Sequence, residues 1–256
     1  MTVDRRLWQS PFYHDSVPAW PCPTCGVGTL ELDRQWLFLR PSADSRKKME
    51  LENSDVEDEH GAVGCVVRCN RHDCGEVCSV AGYYYTEMRF FDEGESPVAV
   101  CWPQMITPAP PMIHVADKCP ENIQGEICAA FRVFWCDKPA CLNHVRQAIE
   151  LLLTTMRVPC TRTVNGTRRR RSLHQRIEWL KNRRPRLSDL CDRLIAVKHL
   201  GNAGSHPSVE IDDQDVFDGF DILEHVLIQL YERTDSDLAK MGKEINKRKG
   251  PRKSGA

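Results

Sequence analysis

The spacing of apolar residues changes once along the chain, close to Pro120. Before that point, short runs rich in Val and Tyr alternate with turn residues, a pattern typical of β-strands. After it, apolar residues recur every three or four positions, as on one face of an amphipathic helix. The pattern predicts strands over 63–68, 77–86 and 97–102, and helices over 121–136, 139–156, 172–180, 187–200 and from Asp212 onward.

These elements predict an α+β fold, in which a small zinc-ribbon-like β module precedes a bundle of about five helices. We expect an extended connector where prolines concentrate, a loop in the acidic stretch 48–60, and a frayed basic tail. The predicted divisions are, in order, an N-terminal segment (1–19), a Cys-rich β module (20–102), a proline-rich connector (103–120), a helical domain (121–233) and a basic tail (234–256).

Composition predicts a protein of the reducing cytosol. Hydrophobic residues make up 41% and charged residues 28% of the chain, as in ordinary globular proteins. The longest apolar run, at 148–153, is too short for a membrane span, and residues 1–10 carry no secretory signal. The 13 cysteines therefore indicate metal ligands or buried thiols rather than disulfides. We expect a cytoplasmic protein with no membrane partner.

Charge is unevenly distributed. Residues 1–120 carry 11 basic and 18 acidic side chains, whereas residues 121–256 carry 24 basic and 18 acidic ones. The densest basic run is Arg168, Arg169, Arg170 and Arg171, between two predicted helices. Such a run could bind the phosphates of RNA or DNA, or it could be a solvated loop. No aromatic residue interleaves it, so base stacking is not indicated there.

Two cysteine pairs predict a metal centre. Cys22 and Cys25 are separated by two residues, Cys69 and Cys74 by four, and a glycine follows each pair. Glycine can adopt positive φ, which lets backbone amides turn towards the sulfurs. Four thiolates around one cation form a closed tetrahedral zinc site, which has a structural role. Three nearby residues could replace a ligand: Cys65, His72 and Cys78.

Polar residues at helical spacing form a second candidate site. Residues 198–206 end a predicted helix with two glycines and place Asn202 and His206 four positions apart. These two side chains could satisfy backbone groups at the helix end, or His206 could transfer protons near neutral pH. Arg146 and Glu150 are also four apart. They could form an ordinary intrahelical ion pair or join Asn202 and His206 in one polar cluster.

The cysteine pairs, the connector and several helical segments together resemble an uncharacterised prokaryotic domain-of-unknown-function family over roughly residues 20–232. Members of that family often occur alone or beside restriction-enzyme subunits, and the family looks like a distant branch of the HEPN superfamily. The resemblance implies a helical, often dimeric domain, a homodimer, and a role in restriction or phage defence. The helical segments that carry it are 134–137, 142–146, 149–152, 173–177 and 198–206, which closes in Gly-Asn-Ala-Gly-Ser-His.

Many HEPN proteins are metal-independent ribonucleases whose motif is Arg-Asn, three residues and His. Asn202 and His206 match this motif, but Gly201 stands at the arginine position. Lys198 or Arg146 would then have to supply the cation on the phosphate. Because this arginine is missing, we expect a zinc-stabilised recognition protein that binds a nucleic acid or a restriction or defence protein. The alternatives are a ribonuclease that uses His206, and a dimerisation scaffold with 134–135 and the last helix at its interface.

Overall fold

The computed structural model describes residues 4–51, 54–92, 94–203, 210–232 and 235–248. Its four long strands lie in the N-terminal half and its longer helices follow, which confirms the predicted α+β class. The strands of the first half are β1 (Leu30–Pro41), β2 (His60–Cys69), β3 (Val77–Phe91) and β4 (Gly94–Thr107), preceded by α1 (Arg6–Gln9) and interrupted by α2 (Ala43–Met49). The second half holds α3 (Glu121–Val133), α4 (Lys138–Thr155), β5 (Thr161–Val164), β6 (Thr167–Arg170), α5 (Leu173–Arg183), α6 (Ser188–Ala203), α7 (Asp213–Tyr231) and α8 (Asp235–Arg248).

The first four strands form an antiparallel meander in the order β1-β2-β3-β4. The sequence pattern does not show β1, because this edge strand carries mostly exposed and half-buried side chains. The other edge strand, β4, runs to Thr107, so the predicted start of the connector at 103 is wrong. Pro103 is tolerated inside β4 because it lies beside a bulge on an edge strand.

Two segments predicted to be irregular contain helix. The acidic stretch 48–60 includes the end of α2, a short 3₁₀ turn at Val56–Asp58 and the first residue of β2. The predicted frayed tail contains α8, which extends to Arg248. Lys and Glu are good helix formers. The positive charges of Lys247 and Arg248 in the last turn interact favourably with the negative end of the helix dipole.

The five predicted helices are present, and three of them begin next to the residues predicted to start them. The Ser172 hydroxyl accepts a hydrogen bond from the Gln175 N–H at 3.2 Å, and Asp212 caps α7 through the Asp215 N–H at 2.9 Å. Pro139 lies in the first turn of α4, where its missing N–H costs nothing. Helix α4 contacts α3, α5, α6 and α7 and is the central helix of this half.

The N-terminal segment joins the sheet to the helices. Trp20 is fully buried and packs edge-on against Phe12 and Trp135, with ring centroids 6.4 and 6.0 Å away. Its indole N–H donates to the Leu7 carbonyl oxygen at 2.6 Å. Phe134, beside Trp135, is only 1% exposed. The Phe134 ring therefore packs at the junction between the two halves, whereas Trp135 is half-buried. The predicted dimer interface at 134–135 stays a prediction.

Candidate metal centre and polar clusters

The four predicted metal ligands meet at one end of the sheet. Cys22 and Cys25 lie in the loop before β1, Cys69 ends β2, and Cys74 lies in the turn before β3. Their sulfur atoms all lie within 4.8 Å of one another. The Sγ–Sγ distance is 3.7 Å for Cys22 and Cys74, and also for Cys25 and Cys69. Tetrahedral ligands at ~2.3 Å from one ion are about 3.8 Å apart. The cluster could hold a metal ion and is compatible with zinc.

Local backbone geometry sets the position of these sulfurs. The glycines after each pair, Gly26 and Gly75, adopt φ of +63° and +61°, as the sequence predicts. Gly28 donates its N–H to the Cys25 sulfur at 3.3 Å. Hydrogen bonds from the N–H groups of Gly28 and Val27 lower the pKa of Cys25 to about 6. The Cys25 sulfur is therefore stabilised as a thiolate, the form that binds metal.

The three alternative ligands lie outside the sulfur cluster. Cys65 and Cys78 are buried in the sheet, and burial raises the pKa of each thiol to about 12. Neither sulfur belongs to the group of four that lie within 4.8 Å of one another, and each side chain packs in the apolar core. His72 is exposed in the turn between the second pair. The structure thus groups the four cysteines that the pair spacing predicts and none of the substitutes.

The basic run 168–171 is not the predicted loop. Arg168, Arg169 and Arg170 belong to β6, which pairs with β5 in a two-stranded antiparallel hairpin. The turn residues Asn165 and Gly166 both adopt positive φ, as a type I′ turn requires. The dipeptide Asn-Gly is a strong hairpin signal that could have revealed this element. The hairpin was missed because the residues of its two strands are mainly Thr and Arg rather than alternating apolar residues.

The β5–β6 hairpin exposes closely spaced positive charge. Arg162 on β5 lies directly opposite Arg169 on β6, and facing like charges destabilise a strand pair. Arg170 pairs with Glu150 at 3.6 Å, while Arg171 donates to the Thr161 carbonyl oxygen at 3.2 Å. Within the described residues, Glu150 is the sole acid in an ion pair with this hairpin. Among the residues that the structure describes, Arg162, Arg168 and Arg169 therefore have no acidic partner.

Arg146 joins two helices and lies in the predicted polar cluster. Its Nη1 donates to the Asn202 Oδ1 at 3.0 Å, from α4 to α6. Its Nε lies 3.9 Å from the Glu150 Oε1, and the other Glu150 oxygen contacts Arg170. The structure therefore brings together Arg146, Glu150 and Asn202. Lys198 is half-buried, and its side chain makes no hydrogen bond or ion pair within the described part of the chain. His206 lies outside the described residues.

Gly201 allows the two helices to approach at this cluster. A Cβ atom at residue 201 would lie 3.0 Å from the Arg146 Cβ and 3.3 Å from the Leu142 carbonyl oxygen. These distances are tighter than ordinary van der Waals contact, so a larger side chain would push α6 away from α4. The missing side chain at residue 201 leaves the space through which the Arg146 guanidinium reaches Asn202. The sequence left open whether Arg146 meets Asn202, and the dependence of this contact on Gly201 was not visible from spacing alone.

Two family models match the chain. Residues 10–109 match a domain of unknown function (DUF8608), and residues 128–248 match another domain of unknown function (DUF4145). These matches support an uncharacterised domain family. Comparison with curated proteins and with solved structures found no match. None of the helices in the described ranges is long and apolar enough to cross a membrane.

Proposed function

We propose that this protein is a zinc-stabilised nucleic-acid-binding protein that contacts phosphates through the β5–β6 hairpin. The observation that carries this proposal is the exposed arginine array on that hairpin. Arg162 and Arg169 face each other with no acid between them, an arrangement that costs stability in the isolated protein. A polyanion placed against the hairpin removes that repulsion.

The shape and chemistry of the hairpin suit this role. A two-stranded β-ribbon is narrow enough to enter the major groove of a duplex, and arginine binds phosphate through two parallel hydrogen bonds. Binding to phosphate releases counterions, which makes affinity fall as salt rises. The four cysteines contribute no reaction, because a closed site of four thiolates leaves no open position on the metal. Their role is to hold the end of the sheet in place.

Neutralising the three arginines that have no acidic partner tests the hairpin. In the triple variant Arg162→Gln, Arg168→Gln and Arg169→Gln, we expect affinity for a duplex to fall by at least tenfold. The slope of log affinity against log salt should drop by about 0.9 for each DNA phosphate that the variant no longer neutralises. Fluorescence anisotropy with labelled DNA and RNA duplexes over a salt series measures both quantities.

A matched control removes three exposed cations from the other half of the chain: Arg40→Gln, Arg46→Gln and Lys47→Gln. Its change in net charge equals that of the hairpin variant. If both variants lost affinity equally, binding would depend on net charge and not on the hairpin. An unchanged affinity in the hairpin variant would also contradict the proposal.

The second candidate function is a metal-independent ribonuclease on a HEPN-like helical domain. The hydrogen bond from Arg146 to Asn202 supports it, because a guanidinium from α4 stands beside the asparagine of the motif where Gly201 provides none. In this mechanism His206 transfers the proton of a ribose 2′-hydroxyl, and Arg146 stabilises charge on the phosphate. Glu150 orients the Arg146 guanidinium from one turn further along α4.

RNA cleavage in the presence of EDTA tests this candidate. If the wild-type protein cleaves tRNA or a mixed RNA pool, His206→Ala and Arg146→Ala should each lower the rate by about 100-fold or more. The control variant Arg132→Ala removes an exposed arginine from α3 and should retain the wild-type rate. Circular dichroism in EDTA checks that the wild-type protein stays folded during the assay. Absence of cleavage by the folded wild-type protein would contradict the ribonuclease candidate.

A further inference from the structure

A pocket of about 410 Å³ opens where the sheet meets the helices. Pockets of roughly 300–1,000 Å³ accommodate small ligands and cofactors. Four segments form its walls: α1, the bulge of β4 opposite β3, the turn between α3 and α4, and the start of α7. The pocket therefore exists only because the two halves of the chain pack together. It contains none of the metal ligands, hairpin arginines or α4–α6 cluster residues discussed above.

One wall is an aromatic pair held by a strand irregularity. Tyr83 and Trp102 are direct partners on β3 and β4, so their side chains lie on the same face. The next pairs are Gly82 with Pro103 and Ala81 with Met105, which leaves Gln104 as an extra residue in β4. Such a bulge redirects side chains at an edge strand, and Gln104 lines the pocket.

The opposite wall is rigid before any ligand arrives. Trp135 donates its indole N–H to the Trp8 carbonyl oxygen at 3.1 Å. Its ring packs edge-on against Trp20 and Phe134, at interplanar angles of 71° and 78°. A wall whose rotamers are already fixed costs little entropy when a ligand binds.

A buried donor beside the pocket has no acceptor. Trp8 is 3% exposed and lines the pocket, and its indole N–H finds no hydrogen-bond partner within the described residues. A buried donor without a partner costs free energy, so such groups in native proteins commonly meet a ligand or an ordered water. Trp8 also borders a smaller, partly enclosed cavity of about 10 Å³, which has room for one water at most.

The polar side of the pocket combines a cation with a satisfied carboxylate. The Lys138 Nζ lies 3.1 Å from the Asp213 Oδ1, and the Gln9 amide donates to the other oxygen at 3.3 Å. The negative charge of Asp213 is therefore paired with the positive charge of Lys138. Lys138 retains further N–H donors for an anion. A ligand with a flat apolar ring and a negative group fits both the aromatic side and the Lys138 side of the pocket. A quaternary ammonium ion would be repelled by the positive charge of Lys138.

We propose that this pocket binds a nucleobase together with its 5′-phosphate. The ring stacks on the aromatic walls of Trp102 and Trp135, and the phosphate pairs with Lys138. Gln104, which is exposed at the bulge, supplies a hydrogen bond to the base edge. The base comes either from a free nucleotide or from a single-stranded nucleic acid, which offers the same ring and phosphate. This proposal does not depend on the hairpin, which lies on a different part of the chain.

Titration of the full-length protein with adenosine 5′-monophosphate tests the pocket, with calorimetry and tryptophan fluorescence as readouts. Adenosine and ribose 5-phosphate serve as comparison ligands that lack the phosphate and the base. We expect the monophosphate to bind more tightly than either. Trp102→Ala should weaken its binding by roughly tenfold or more, since the base can no longer stack on the indole. Lys138→Gln should weaken binding of the monophosphate and leave that of adenosine unchanged.

Trp36→Ala is the matched control for Trp102→Ala, because Trp36 is 58% exposed on the same sheet and does not line the pocket. Equal losses of affinity in both tryptophan variants would overturn the proposal, as would ribose 5-phosphate binding as tightly as the monophosphate. Failure of the folded wild-type protein to bind at millimolar concentrations would also overturn it. If Trp102→Ala does not fold, Lys138→Gln decides the outcome.

Two further experiments identify the source of the bound base and show whether the pocket or the hairpin binds it. Displacement of the monophosphate by a single-stranded trinucleotide assigns the pocket to a base carried by nucleic acid, and lack of displacement assigns it to a free nucleotide. Both results support the proposal. The hairpin variant at Arg162, Arg168 and Arg169 should retain full affinity for the monophosphate. A loss of nucleotide binding in that variant would contradict the assignment to the pocket.

Discussion

Cys69→Ser is expected to remove the bound metal and to unfold the end of the sheet. The Cys69 sulfur lies 3.7 Å from that of Cys25 and inside the cluster of four. Structural zinc contributes about 10–16 kcal/mol of apparent binding free energy in small domains. Losing one of four thiolates should therefore cost several kcal/mol of stability. Elemental analysis should find about one equivalent of zinc in the wild-type protein and little in the variant.

A neighbouring buried thiol provides the matched control. Cys65 also lies on β2, is 4% exposed and stays outside the sulfur cluster. Cys65→Ser should lower the unfolding temperature and keep the full metal content, because only packing is disturbed. Chelation by EDTA should lower the unfolding temperature of the wild-type protein and leave that of Cys69→Ser unchanged. A wild-type protein that is folded and metal-free after purification would rule out the metal centre.

Trp20→Ala should be the most damaging single substitution in the apolar core. Trp20 is fully buried, packs on Phe12 and Trp135, and donates a hydrogen bond to Leu7. Truncating a buried tryptophan to alanine typically costs about 3–5 kcal/mol. We expect a free energy of unfolding lowered by that amount, because the change removes the packing between the sheet and the helices. Urea unfolding monitored by circular dichroism measures it.

Trp36→Ala makes the same chemical change at an exposed position of the sheet. Its effect on the free energy of unfolding should stay within about 0.5 kcal/mol. Zinc content should be unchanged in Trp20→Ala, because the sulfur positions depend on the loop around Gly28 and not on the tryptophan ring. Equal destabilisation by the two substitutions would contradict the role of Trp20 as the junction of the two halves.

The sequence predicted elements whose signals are local. Helix starts at Ser172 and Asp212 follow from side chains that cap the N–H groups of the next turn. The two cysteine pairs, with their glycines, indicated a metal site because knuckle geometry depends on a few consecutive residues. The strand β1 and the β5–β6 hairpin were missed because polar side chains hid their periodicity. These strands form because each pairs with a neighbouring strand, β1 with β2 and β5 with β6.

The sequence by itself determined the α+β class, the order of its two halves and the four cysteines that could hold a metal ion. It did so because hydrophobic periodicity, capping and turn preference act over a few residues. Only the tertiary structure decided that Cys22 meets Cys74, that Arg146 reaches Asn202 past Gly201, and that Trp102 and Trp135 face one pocket. These interactions join segments far apart in the chain. Their partners are fixed by strand register and helix packing, which the local pattern does not specify.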